Sequence, residues 1–291
     1  MEKIFATPDK VLVNVENEVG SVVITAVESG TTTVSLESDT PGAEERVERA
    51  VVECHGSGSR QTVIVRIPHS HGMKFIRRNG VTVRIDMPPG GDVDVKTASA
   101  DIELNGSVGD LSVKTASGDV TADDAAGDVR VATASGDLSV ETVGGDLRMQ
   151  SASGDVQVVS VSGRAQVTSQ SGDIELAAVG DGADIRSASG DIRLGRVSGD
   201  SSIVGVSGDT RVLSFAEGEL RVRSVSGDIQ IGIPHGTAFQ VDAQSMSGAV
   251  RSEIPLGDTP DSGGGNPEVV ISARSVSGDF LVERAVGALV P

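Results

Sequence analysis

From Val95 onward one phrase returns every 18 residues, and it leaves the chain few folds to choose from. The phrase is T/S-A-S-G-D followed by an apolar residue: "TASGDV" at 115–120, "TASGDL" at 133–138, "SASGDV" at 151–156, "SASGDI" at 187–192. Coils begin at Val95, Val113, Val131, Met149, Val167, Ile185, Ile203 and Val222, and only the seventh carries an extra residue. Counted from these starts, apolar residues recur at positions 1, 4, 8, 10, 13 and 17; in the third coil they are Val131, Ala134, Leu138, Val140, Val143 and Leu147. The second three restate the first three nine residues later, so each coil is two nine-residue halves. Positions 8 and 10 flank a polar residue, the period of a short strand with one face inward, and positions 17 and 1 do the same. Between the strands lie S-G-D and G-G-D corners, where Gly supplies backbone angles that other residues avoid. No helical period intervenes. The expected fold is all-β: a parallel β-helix or solenoid whose coils hydrogen-bond to one another. Eight coils at ~4.8 Å each would make a rod about 40 Å long.

Composition agrees with a thin core. There is no Trp, no Tyr and only five Phe, so Val, Ile, Leu and Ala must fill the interior. The formal charge of -18 argues against nucleic acid as a partner, because binding phosphates needs a surplus of Lys and Arg on some face. The single Cys54 can form no internal disulfide, so the fold needs no oxidising compartment. No apolar run of membrane-spanning length is present, and "MEKIFATPDKVLVNVENEVG" lacks a basic-then-apolar leader pattern. The expectation is a cytoplasmic protein with no membrane insertion, surface association being left open.

Three regions are expected. Residues 1–94 read as a strand-rich segment that caps the rod, with a short helix near 43–55, where Val47, Ala50, Val51 and Cys54 fall at helical spacing after Pro41. Residues 95–239 are the regular solenoid. Residues 240–291 are irregular coils, with a loop at 257–267 rich in Gly, Pro and Asp that reads as flexible, and an apolar tail "AVGALVP" expected to cover the last open edge.

The repeats "TASGDV", "SASGDI" and "SVSGDIQI", after "GSVVIT" and before "IPHGTAFQVDAQSMSGAV", resemble a bacterial family of β-strand-repeat proteins that carries an adhesin label and is a domain of unknown function. The resemblance covers most of the chain. It implies a β-helical fold and carries no catalytic residue across.

Stacking the coils turns single positions into columns. Position 5 gives Ser117, Ser135, Ser153, Ser171, Ser189, Ser207 and Ser226, and position 7 gives Asp119, Asp137, Asp155, Asp173, Asp191, Asp209 and Asp228. Like charges ~4.8 Å apart repel by roughly 1 kcal/mol in water, so something must offset the column. The expected offset is structural: each carboxylate accepts backbone N–H groups of its own turn or the next coil, with the Ser column as a further donor. Calcium is the alternative. Calcium-binding nonapeptide solenoids, however, place one residue between Asp and the apolar position, whereas here Leu138 follows Asp137 directly. A second corner is looser: Asp110, Asp128 and Asp146 give way to Arg164, Gly182, Asp200 and Glu219.

Other candidates are weaker. Cys54, His55, His69 and His71 lack the spacing of a zinc finger, and Cys54 is expected on the apolar face of the helix. Lys74, Arg77 and Arg78 form the one concentrated basic run and are the candidate partner contact. The position-3 hydroxyls, Thr97, Thr115, Thr133, Ser151, Ser169, Ser187 and Ser224, read as a turn edge. A carbohydrate-active β-helix enzyme is a third reading, but the chain has no Trp or Tyr platform, and its paired carboxylates arise from the repeat itself. The chain therefore reads as a non-enzymatic interaction or scaffold solenoid with no cofactor, acting through a protein partner or self-association.

Overall fold

The computed structural model describes residues 1–38, 40–56, 61–68, 80–254 and 268–285. The chain divides into two compact units, Met1–Ser151 and Ala152–Pro291. Each is built of stacked parallel strands, as the 18-residue period requires.

In the first unit the long strand Val11–Ala26 is bent at Gly20, whose φ of +130° takes the chain round a corner. Before the corner it pairs in parallel with Gln61–Arg66, and after it with Val81–Met87. Its whole length also pairs with Asp92–Val108, Leu12 opposite Asp92 and Ser21 opposite Asp101. Residues 11–26 thus stand one coil before the repeat begins, in register with it. Asp92–Val108 continues in parallel to Leu111–Lys114 and Val120–Ala125, and these to Val129–Ala132 and Leu138–Val143. Antiparallel strands flank this stack: Glu2–Ala6 on Thr31–Ser38, Thr31–Ser38 on Val81–Met87, and Val51–His55 on Gln61–Arg66.

The short helix is present but ends sooner than its spacing predicts. It runs Pro41–Glu48, burying Ala43 and Val47 against Thr31–Ser38. Residues 51–55, expected on its apolar face, are a strand. Ladder bonds to Gln61–Arg66 and the β-branched pair Val51-Val52 outweigh one more helical turn. Cys54 accordingly sits half-buried in a strand, not inside a helix interface.

In the second unit two series of strands face each other. One runs Ala165–Ser171, Ala183–Ser189, Ser201–Ser207 and Gly218–Ser226. The other runs Val156–Val161, Ile174–Val179, Ile192–Val197, Thr210–Phe215 and Ile229–Ile233. Residues pair across an offset of 18, as in Val156 opposite Ile174. Positions 1, 8, 10, 13 and 17 point inward: Ile185, Ile192, Leu194, Val197 and Ala183 are all essentially without solvent exposure.

Position 4 does not point inward, contrary to its apolar pattern. Ala134, Ala188, Val206 and Val225 are exposed, and the position-3 residues Thr115, Ser169, Ser187 and Ser224 are buried instead. The strand that begins at position 17 keeps strict alternation through position 3, so the hydroxyl residue takes the inward place and the corner starts only after it. Two of these hydroxyls find a carbonyl: Ser169 Oγ donates to Ser171 O at 2.9 Å and Ser187 Oγ to Ser189 O at 3.0 Å.

The last coils stack out of sequence order. Val269–Ser277 pairs on one side with Gly218–Ser226 and on the other with Phe239–Ser247. Phe280–Arg284 likewise lies between Ile229–Ile233 and Val250–Ser252. The coil 269–284 is therefore internal, and the coil 239–252, earlier in the chain, is the outermost of the described coils. Residues 257–267 and 286–291 lie outside the described residues. Among the described residues no helix is long and apolar enough to cross a membrane.

Candidate functional site

The corner that holds S-G-D positions its side chains through the strands on either side. Gly190 shows why the middle residue is Gly. Its φ is +114°, and a Cβ there would collide with the Gly172 carbonyl of the preceding coil. Its N–H donates to Ser207 O at 3.2 Å, and Gly208 repeats this to Ser226 O at 3.2 Å. The serines at position 5 thus contribute their backbone carbonyls. The hydroxyls of Ser171, Ser189, Ser207 and Ser226 are exposed, and none donates to the Asp column in the structure.

The aspartates form one continuous pattern within each unit. In the first, Asp119 N–H donates to Asp101 Oδ1 at 3.1 Å and Asp137 N–H to Asp119 Oδ1 at 2.9 Å. In the second, Asp173 N–H donates to Asp155 Oδ1, Asp191 to Asp173, Asp209 to Asp191 and Asp228 to Asp209, all at 2.8–2.9 Å. Asp119, Asp137, Asp173, Asp191, Asp209 and Asp228 also accept at their own carbonyls from position 8 of the preceding coil, as in Ile174 N–H to Asp191 O at 2.9 Å. At the corner the main chain turns away and has no ladder carbonyl to offer the next coil. The carboxylate takes that place, and a side chain as short as Asp reaches it. A charge-assisted bond to the next N–H offsets the repulsion between neighbours, which stays small because the carboxylates face water.

The second corner uses the same device in the first unit: Asp110 N–H to Asp92 Oδ1, Asp128 N–H to Asp110 Oδ1 and Asp146 N–H to Asp128 Oδ1, at 2.9–3.0 Å. Asp92, the first of this column, falls just before the apparent start of the repeat; its "GDVDV" phrase was the signal that marked it. The N–H of Asp146 holds the Asp128 carboxyl below the usual carboxylate range; partial burial opposes this, and Arg130, 2.7 Å away, adds to it. In the second unit the corner keeps this bond at one step, Glu219 N–H to Asp200 Oδ1 at 2.9 Å, and uses an arginine at another. Arg164 reaches across the side-chain-free Gly182 to Asp184 Oδ2 at 3.0 Å and Asp200 O at 3.3 Å.

Beside the Asp column of the second unit runs an apolar one. Val206, Val225, Val276 and Met246, all at position 4, are exposed by 46%, 49%, 47% and 84%. Their neighbours Ser207, Ser226, Ser277 and Ser247 pair in that order across the strands, so the four side chains stand in one file. Across the corner lie the exposed carboxylates of Asp209, Asp228 and Asp279.

The remaining candidates do not assemble. Cys54 and His55 are adjacent on one strand, so their side chains take opposite faces, and His55 pairs with Glu53 at 3.1 Å. His69, His71, Lys74, Arg77 and Arg78 lie outside the described residues. Among the described residues no three His, Cys, Asp or Glu side chains are grouped to hold a metal ion.

Several solved structures are similar to this chain over nearly its whole length. Two, each described as a candidate adhesin, come from Bacteroides fragilis (13% identity, 97% of this chain and 96% of that one, TM-score 0.41) and Parabacteroides distasonis (12%, 97% and 96%, 0.43). A third, from Parabacteroides distasonis, is described as a candidate lipid-binding protein (13%, 97% and 96%, 0.37). With identities this low and TM-scores below 0.5, these likenesses assign this chain neither a partner nor an activity. No curated protein matches the sequence. The sequence profile of one family does, over residues 18–183 and again over 179–283, together most of the chain. Its span takes in both Asp columns and all the coils on which they stand: the chain belongs to the Toastrack DUF4097 family.

Proposed function

We propose that the chain is a non-enzymatic binding scaffold whose second unit holds a protein partner along the corner file of Val206, Val225, Val276 and Met246. The carrying observation is the pairing of that exposed apolar file with the carboxylates of Asp209, Asp228 and Asp279. Exposed apolar side chains gathered in a line mark contact surfaces more often than scattered ones do. The acidic margin selects for a partner that presents apolar side chains flanked by Lys or Arg. The carboxylates themselves are engaged in holding coils together, which supports a scaffold over a catalytic or calcium-binding role. The absence of Trp and Tyr supports a protein partner over a sugar. One cysteine and no disulfide suit the cytoplasm.

Capture from the native cell with the intact protein tests this reading, comparing the wild type with the triple variant Val206→Ser, Val225→Ser, Val276→Ser. All three side chains are half-exposed and outside the core, so the triple variant is expected to melt with the wild type. The expected result is a partner held at low salt, lost in the triple variant, and released at about 0.5 M salt, where exposed charges no longer reach one another. Equal capture by both proteins, capture insensitive to salt, or no capture by the wild type would overturn it.

A further inference from the structure

The order in which the last coils stack can be followed along the carboxylate column. The repeat phrase returns twice after Asp228: as "SMSGAV", with Ala249 at position 7, and as "SVSGDF", with Asp279. In space the second comes first. Asp279 N–H donates to Asp228 Oδ1 at 2.8 Å, and Ala249 N–H donates to Asp279 Oδ1 at 2.8 Å. The backbone follows: Ile229 N–H to Asp279 O and Phe280 N–H to Ala249 O, both at 2.9 Å.

Stacked in chain order, the coil of Ala249 would follow Asp228 and precede Asp279. Ala249 would then offer a methyl group where the Asp279 N–H needs an acceptor. One fastening bond would be lost, in the middle of the column. In the observed order every position-7 carboxylate from Asp155 to Asp279 has a following N–H to accept. Among the described residues of the second unit, the coil that lacks a carboxylate is the one with no coil after it. Its position confirms that it is the end: Phe239, Val241 and Ala243 are only half-buried, although the equivalent inward residues Leu220 and Val222 are fully buried.

We propose that the position-7 carboxylates decide this order, and that Ala249 is the stop of the column. The device also closes the end of the stack. The last corner presents no side-chain acceptor to a further coil, so a second copy meets an edge that lacks the bond fastening every coil beneath it. Exposed edges are managed by such devices because an edge that can pair will template assembly.

Cysteine pairs read the order directly. Ser226 stands beside Ser277 and one coil further from Ser247. Adjacent strands ~4.8 Å apart allow a disulfide, whereas a separation of two coils, ~9.6 Å, does not. On a Cys54→Ser background refolded in a glutathione buffer, Ser226→Cys with Ser277→Cys is expected to bridge, and Ser226→Cys with Ser247→Cys is not. Exchanging the carboxylate, Ala249→Asp with Asp279→Ala, is expected to make the 226–247 bridge appear and the 226–277 bridge recede. Should the exchanged protein not fold, Ala249→Asp alone serves: with a carboxylate in both coils, both bridges are expected. An unchanged bridging pattern in the exchanged protein, or only the 226–277 bridge in Ala249→Asp, would overturn the proposal.

Discussion

Gly190→Ala is expected to unfold the corner of the second unit, at a cost of about 3–5 kcal/mol. Two penalties meet at this residue. A φ of +114° is a conformation that L side chains rarely adopt, and a methyl there would press on the Gly172 carbonyl, a backbone atom with nowhere to go. The clash is not local, because Gly172 is itself packed in the same way against Gly154. Displacing one coil therefore disturbs its neighbour. Gly236→Ala is the control: its φ is +85° but no atom lies within 4 Å of the would-be Cβ, so it pays the backbone penalty alone, about 1 kcal/mol. With no Trp or Tyr in the chain, circular dichroism during urea unfolding is the measurement. Equal losses at the two glycines would show that stacking at the corner is not what forbids a side chain.

Val140→Asp is expected to be as damaging, by burial instead of backbone strain. Val140 is 2% exposed and lies against Ala122 in the stack, so a carboxylate there enters the core with no partner. The expected cost is about 4 kcal/mol or more. Ser139→Asp, one residue earlier, faces solvent and is expected to change stability by less than about 0.5 kcal/mol. The contrast tests the register, since a slip of one residue would exchange the two faces. Equal effects in chemical denaturation would contradict the inward assignment of positions 8 and 10.

The contrast between Ser139 and Val140 also shows how much the sequence revealed. Alternation around positions 8 to 10 and from 17 to 1 placed the inward residues correctly, because a strand has only two faces. Position 4 misled for the same reason: Ala134 and Val225 are apolar, but alternation carried through Ser or Thr at position 3 and left them outside. Composition pointed one way and strand geometry the other, and geometry won whether the buried hydroxyl donates to a carbonyl, as at Ser187, or has no partner, as at Ser224. At Val51–His55 helical spacing was similarly overruled, by a strand partner 10 residues further on in the chain.

The candidate site was legible as a column, and its bond as a choice between a backbone N–H of the same turn and one of the next coil. The recurrence of Asp119, Asp137 and their successors announced that one chemical need recurs in each coil. Which bond meets it depends on which atom the corner leaves without a partner, and that follows from backbone direction. Ala249 could be read as a lapse in the repeat. Its meaning appears only once coil 269–284 is found on the inner side of coil 239–252, an order that the linear sequence does not display.

The most direct test separates the carboxylate as hydrogen-bond acceptor from the carboxylate as charge. In the triple variant Asp173→Asn, Asp191→Asn, Asp209→Asn each amide oxygen can still accept the next N–H, and the repulsion along the column is gone. In the matching Ala variant the acceptor is lost as well. Melting followed by circular dichroism, with chelator and with millimolar calcium, is expected to leave the Asn protein within about 1 kcal/mol of the wild type. The Ala protein should lose about 2–3 kcal/mol, near 1 kcal/mol for each bond. Calcium should move none of the three. Equal losses in the Asn and Ala proteins, or a calcium-dependent rise of many degrees in the wild type that vanishes with Asn, would show that the column is held for its charge and not for the bonds it makes.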